Sequence, residues 1–165
     1  MKRPSNDKGF SYVEMILVLG IMTIMLAMIT ISMGTIRRNN VLRTAEKMET
    51  LVNKARNTAL TKGTANGVLN VAKIDNDVYA YVGTGISELN EGNINTFKVK
   101  GEKICSSDIT IIINGVSTDS GSVAQIGFKQ STGGLDSTLD GTIMVLKGTR
   151  SSTFRIHYLT GKIYR

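Results

Sequence analysis

The chain has 165 residues with one cysteine, one histidine and one proline, and its 20 lysines and arginines outnumber 13 acids to give a net charge of +7. One cysteine excludes an internal disulfide, and with a single histidine it leaves no ligand set for a structural zinc. The length suits one modest domain beside a helical stem.

The first nine residues carry Lys2, Arg3 and Lys8 against Asp7, and end in Lys8-Gly9 before Phe10. From Met15 to Met33 there is no charge and no proline, and the polar interruptions are Thr23, Thr30 and Ser32. At about 1.5 Å per residue this run is roughly 28 Å long, close to the hydrocarbon thickness of a bilayer. It is therefore expected to span a membrane. A secretory signal fits less well, because its apolar core runs about 7–15 residues to a small-x-small site, and Ala27-Met28-Ile29 is a poor one. Glu14 at the mouth of the run is costly in lipid, on the order of 3 kcal/mol. Two readings stay open: a carboxylate solvated at headgroup depth, or one neutralised by a cation, the nearest source being the amine of a chain cut before Phe10.

These residues, Lys8-Gly9-Phe10, Glu14 four positions later and the apolar run behind it, resemble the class III signal of type IV pilins and pseudopilins. The resemblance implies cleavage by a prepilin peptidase between Gly9 and Phe10, N-methylation of Phe10, and pairing of Glu14 with a neighbouring subunit's amino terminus during filament assembly. The partners it implies are the peptidase, other pilin or pseudopilin subunits in a hetero-oligomeric filament, and the inner (cytoplasmic) membrane. Arg37, Arg38 and Arg43 lie beyond the far end of the run, so counting basic residues does not orient it. The resemblance does: a single-pass inner-membrane protein with its leader in the cytoplasm and its C-terminal domain outside, then a cell-surface or periplasmic filament. Loss of the leader removes a net +2 from the +7, leaving +5. The C-terminal disulfide and the helix-bending proline common in major pilins are both missing.

Beyond Gly34 the apolar residues Val41, Ala45, Met48, Val52, Ala55 and Ala59 recur at helical spacing, while Arg38, Arg43, Lys47, Lys54, Arg56 and Lys62 fall on other faces. One helix is expected from Phe10 to about Thr61, closed by Lys62-Gly63. The predicted fold is α+β: a long N-terminal helix, membrane-spanning in its first half, packed on a C-terminal antiparallel β-sheet domain, the pilin fold. Its parts are a leader over 1–9, a transmembrane and assembly half over 10–34, an amphipathic half over 35–62 and a β-rich globular domain over 63–165.

From Thr64 the pattern changes to period two. Strands are predicted over Gly67–Ala72, Val78–Val82, Thr96–Lys100, Ile109–Asn114, Val123–Phe128, Thr142–Lys147, Thr153–Tyr158 and Lys162–Tyr164, with turns at Asp75-Asn76-Asp77, Asn90 to Asn93, Asn114-Gly115, Ser120-Gly121 and Gly133-Gly134. Two hairpins are expected, one at Asn114-Gly115 and one at Leu159-Thr160-Gly161. In the second, Phe154, Ile156 and Tyr158 should face the core and Thr153, Arg155 and His157 the solvent. The stretch from Ile126 through Phe128 to Gly134, with Thr142–Leu146 and Phe154–Ile163, resembles the C-terminal half of GspH/FimT-type minor pilins and pseudopilins. Thr64 to Ser122 matches no motif.

No catalytic constellation emerges. His157 stands alone, and the serines over 117–122 and at Ser151-Ser152 have no histidine near them to activate them. The glycines of Gly83-Thr84-Gly85 and Gly133-Gly134 lack the Gly-Lys-Ser/Thr of a phosphate loop, and Asp75-Asn76-Asp77 lacks the rest of a calcium loop. A non-enzymatic protein without cofactors or metal is expected. From Lys147 onward, Lys147, Arg150, Arg155, Lys162 and Arg165 occur without an intervening acid, with Tyr158 and Tyr164 among them. Such a hairpin can bind phosphate backbone without reading sequence, so DNA is an alternative partner and a DNA-uptake pilus the alternative function. A solvated strand face, or a patch complementary to a neighbouring subunit's acids, is the plainer account.

Overall fold

Ser11-Tyr-Val-Glu14 starts a helix by the reciprocal capping expected of Ser-x-x-Glu: the Ser11 hydroxyl accepts from the Val13 N–H at 3.3 Å, and the Ser11 N–H donates to Glu14 Oε2 at 3.4 Å. The computed structural model describes residues 11–106, 108–137 and 140–165, and leaves out the side chains of 28–38 and 120. The leader, Gly9 and Phe10 lie outside the described residues. Helix α1 (Tyr12–Lys62) ends at Gly63, whose N–H bonds the Ala59 carbonyl at 3.0 Å and whose φ of 97° suits glycine. Two compact units divide the chain, Met1–Arg37 and Arg38–Arg165.

In the second unit the strands are β1 (Val68–Ile74), β2 (Asp77–Gly83), β3 (Glu102–Ser106), β4 (Thr110–Ile113), β5 (Val116–Ser117), β6 (Ala124–Gly127), β7 (Gly141–Lys147), β8 (Arg150–Ile156) and β9 (Ile163–Tyr164), with helix α2 (Glu91–Lys100) between β2 and β3. They form two antiparallel sheets, ordered β3-β2-β1-β6 and β5-β4-β7-β8-β9. Alternation along each strand sorts the residues. Leu69, Val71, Val78 and Ala80 of the first sheet and Ile111, Ile113, Ile143, Val145, Phe154 and Ile156 of the second join Val41, Ala45, Met48, Val52, Ala55 and Ala59 of α1 in one core. The opposite face of the first sheet, at Ala72 and Ile74, is covered by Phe97 of α2.

The fold expected from sequence is corrected. Among the described residues no helix is long and apolar enough to cross a membrane. The single-pass inner-membrane localisation loses its structural basis with it. The single sheet domain becomes two sheets and a second helix. The strand expected over Thr96–Lys100 is the C-terminal half of α2, and the turn expected at Asn90 is its N-cap, with Asn90 Oδ1 accepting from the Asn93 N–H at 2.9 Å.

Candidate assembly surface and the basic tail

Two features single themselves out, an uncovered apolar helix stretch and the cation-rich C-terminal strands. In the first unit every large hydrophobic from Tyr12 to Leu26 is exposed, from 43% at Val18 to 81% at Tyr12. Met15, Ile16, Leu17, Val18 and Leu19 are consecutive, so the apolar surface runs right round the helix instead of forming a stripe. A helix hydrophobic on all sides belongs in an apolar environment. Thr23, the polar residue within it, returns its hydroxyl to the Gly20 carbonyl at 2.8 Å. Nothing lies within 4 Å of a Cβ built on Gly20. Glu14 marks the start of this surface, and its bond to the Ser11 N–H gives it a local capping role that the sequence reading missed, although the Ser-x-x-Glu spacing carried the signal.

The basic tail is arranged differently from its sequence. Lys147 at the end of β7 is ion-paired to Asp108. Arg165 places Nη2 2.7 Å and Nε 3.1 Å from Glu49 Oε1 on α1. Arg155, exposed on β8, pairs across the ladder with Thr142 and Tyr164. Asp140 receives the Tyr158 N–H at 2.8 Å and the Tyr164 hydroxyl. The Tyr164 hydroxyl first, then the Tyr158 amide, hold the Asp140 carboxyl below its ordinary range, and the same bond raises the Tyr164 phenol. Arg150 and Lys162 flank opposite ends of β8, some 20 Å apart at strand spacing. The five cations are thus not gathered on one patch, and acids from distant parts of the chain neutralise two of them.

His157 stacks on Tyr158 with ring centroids 5.4 Å apart. Tyr158 itself is 36% exposed and departs from the inward alternation of Phe154 and Ile156. Asp75 and Asn76 form the tight β1–β2 turn at φ 49° and 69°, and Asp75 and Asp77 pair with Lys98 and Lys103 at 2.5 Å each. Among the described residues no group of three acidic, histidine or cysteine side chains could hold a metal ion. Cys105 borders a cavity of about 200 Å³ with Asn40, Thr44, Asp108 and Lys147. Burial pushes its thiol up to about 12, with Asp108 adding to the effect. It is a poor nucleophile.

The glycines that looked like a loop motif serve backbone contact. The Gly133 carbonyl accepts from Arg56 Nε at 3.2 Å, and Gly133 has φ 64°. A Cβ on Gly134 would lie 2.4 Å from the carbonyl oxygens of Tyr158 and Leu159, and one on Gly161 would lie 2.0 Å from the Gly133 oxygen. Helix, loop and terminal hairpin therefore meet through main chain that tolerates no side chain. Models of protein families, curated proteins and solved structures were each compared with the chain, and none matches it.

Proposed function

We propose that this chain is a structural subunit of a type IV pilus-like filament, a minor pilin or pseudopilin, that works by non-covalent assembly and performs no catalysis. Supporting the reading is the uncovered apolar stretch from Tyr12 to Leu26, preceded by Lys8-Gly9-Phe10 and opened by Glu14. Cleavage between Gly9 and Phe10 would place a new α-amine four residues before Glu14. Apolar helices of several subunits then bury one another's surfaces, and a carboxylate among them requires a cation, which a neighbour's amine supplies. In motif, the C-terminal stretches resemble those of GspH/FimT-type minor subunits. The alternative, DNA binding through Arg150, Arg155 and Lys162, has weaker support, because Arg150 and Lys162 lie at opposite ends of β8 and the other two tail cations are ion-paired.

The test is mass spectrometry of the chain isolated from its native cells. A first residue of N-methylated Phe10 supports the reading, and an uncut or differently cut chain overturns it. Glu14→Gln is the informative variant, since a glutamine keeps the capping bond to the Ser11 N–H while removing the charge. It should be processed normally and fail to enter filaments. Normal incorporation would refute the pairing.

A further inference from the structure

β8 is seven residues long, yet β9 covers only its last two through the pairs Arg155↔Tyr164 and Ile156↔Ile163. The strand's other side is fully paired with β7 from Lys147↔Arg150 to Gly141↔Ile156. The His157 N–H bonds the Lys162 carbonyl at 2.9 Å, so odd-numbered residues of β8 direct their backbone groups toward the β9 side. Ser151 and Thr153 consequently present an N–H and a C=O each along an edge that no other strand among the described residues covers. No proline and no bulge interrupts this stretch, and its side chains are small and polar, so it lacks the usual guards of an exposed edge other than Arg150 at its end. In line with the end of β9 lies a groove of about 310 Å³ lined by Thr153, Phe154, Arg155, Tyr164 and Arg165.

From this geometry we infer that the Arg150–Phe154 edge of β8 is a strand-addition site, taking an extended acidic segment of a partner protein that continues the line of β9. Strand addition draws its affinity from main-chain hydrogen bonds, here to Ser151 and Thr153, and its selectivity from flanking side chains. The flanks are cationic at both ends: Arg150 is exposed, and so is Arg155 beside the groove. Carboxylates on the incoming strand complement them. A second copy of β8 carries no acid over Arg150–Ile156 to complement them. The inference is independent of the filament reading, because none of these residues belongs to α1.

A fluorescein-labelled extended peptide of valines carrying glutamates five positions apart, which presents a carboxylate on each face, titrated into the full chain in detergent micelles, tests it by anisotropy, with hydrogen exchange at Ser151 and Thr153 as a second readout. Binding should protect both amides. Binding should fall by about tenfold or more when alternate peptide amides are N-methylated, and similarly for Thr153→Pro, which deletes an outward N–H at an edge where proline is tolerated. A valine–lysine peptide should not bind. Equal binding of the N-methylated peptide, no binding of the acidic one, protection elsewhere, or binding of duplex DNA in place of peptide would each overturn the inference. The N-methylated peptide keeps the test sound if Thr153→Pro does not fold.

Discussion

Gly67 offers a quantitative check on how the second unit is packed. It follows the short 3₁₀ turn Thr64–Asn66 with φ −97° and ψ 33°, in the sparsely populated bridge region but at negative φ, so any dihedral strain of Gly67→Ala is small beside its contacts. Restriction of the unfolded chain would by itself stabilise by about 0.4–1 kcal/mol. Packing opposes this. The new Cβ would sit 2.2 Å from the Cβ of Ala59, 2.6 Å from its Cα and 2.8 Å from its nitrogen, where ordinary contact begins at 3.4 Å. Ala59 is fully buried in the core, and two of the three atoms are helix backbone, so no side chain can rotate away. Overpacking of this kind costs about 1–3 kcal/mol, and contact with main chain places it at the upper end, for a net loss of about 2 kcal/mol. Urea unfolding followed by far-UV circular dichroism would show a lower midpoint at unchanged slope. Ala59→Gly alone should cost about 1 kcal/mol in helix propensity plus its lost packing. Combined with Gly67→Ala it removes the worst of the three clashes, so the double variant should lose less than the two single losses added. A Gly67→Ala variant as stable as the parent, or strictly additive losses, would refute this account of the contact.

Three further outcomes are expected. Asn70 is fully buried, and its amide donates to the Thr84 carbonyl at 3.0 Å and accepts the Ile86 N–H at 2.9 Å, so Asn70→Ala should cost about 2–3 kcal/mol in thermal or urea unfolding by leaving buried backbone groups unpaired. Asp119 joins the two sheets, with Oδ1 2.7 Å from Lys73 Nζ and Oδ2 accepting from the Thr110 hydroxyl, and Lys73 first and Thr110 second hold its carboxyl below the ordinary 3.8. A depressed folded value contributes stability above 3.8 that disappears as pH falls through the folded value. Asp119→Asn should therefore flatten the acid limb of stability against pH, by less than about 1 kcal/mol for so exposed a pair, and an unchanged acid limb would count against the latch. Cys105, its thiol pushed up to about 12 by burial, should react slowly with Ellman's reagent at pH 8 in the folded chain and quickly in urea, and rapid native labelling would contradict that environment.

Much of the strand pattern was legible because its signals are local. β1, β2, β4, β6 and β7 announce themselves by alternation and by Asp75-Asn76 and Asn114-Gly115, residues that accept the positive φ of a tight turn. Helix α2 was not legible. Ile94, Thr96 and Val99 favour strands, Phe97 is its one buried residue, and no apolar stripe marks it. What fixes it is the Asn90 cap and the slot Phe97 fills beside Tyr81, at ring centroids 6.3 Å apart. Division into two sheets was equally hidden, because β1 pairs with β6 across more than fifty intervening positions, which no window of sequence reports. The basic tail shows the same limit. Its cations could be counted, but Glu49 lies 116 positions from Arg165 and Asp108 lies 39 from Lys147. The open edge of β8 depends on how short β9 is, which only the register reveals.

The uncovered stretch of α1 carries the strongest energetic demand in the molecule. A large apolar side chain gains about 1.5–3 kcal/mol on full burial, so side chains that remain roughly half exposed forgo on the order of 1 kcal/mol each. A dozen between Tyr12 and Leu26 are in that state. The unrealised stabilisation is therefore on the order of 10 kcal/mol, as large as the net stability of a typical domain. In the filament proposed above, apolar surface of neighbouring subunits would supply this burial, and a helix apolar on every side is covered most completely when several partners surround it. A single docking groove would cover one face and leave the rest in water. This is the physical argument for the proposed many-subunit filament over a one-to-one complex.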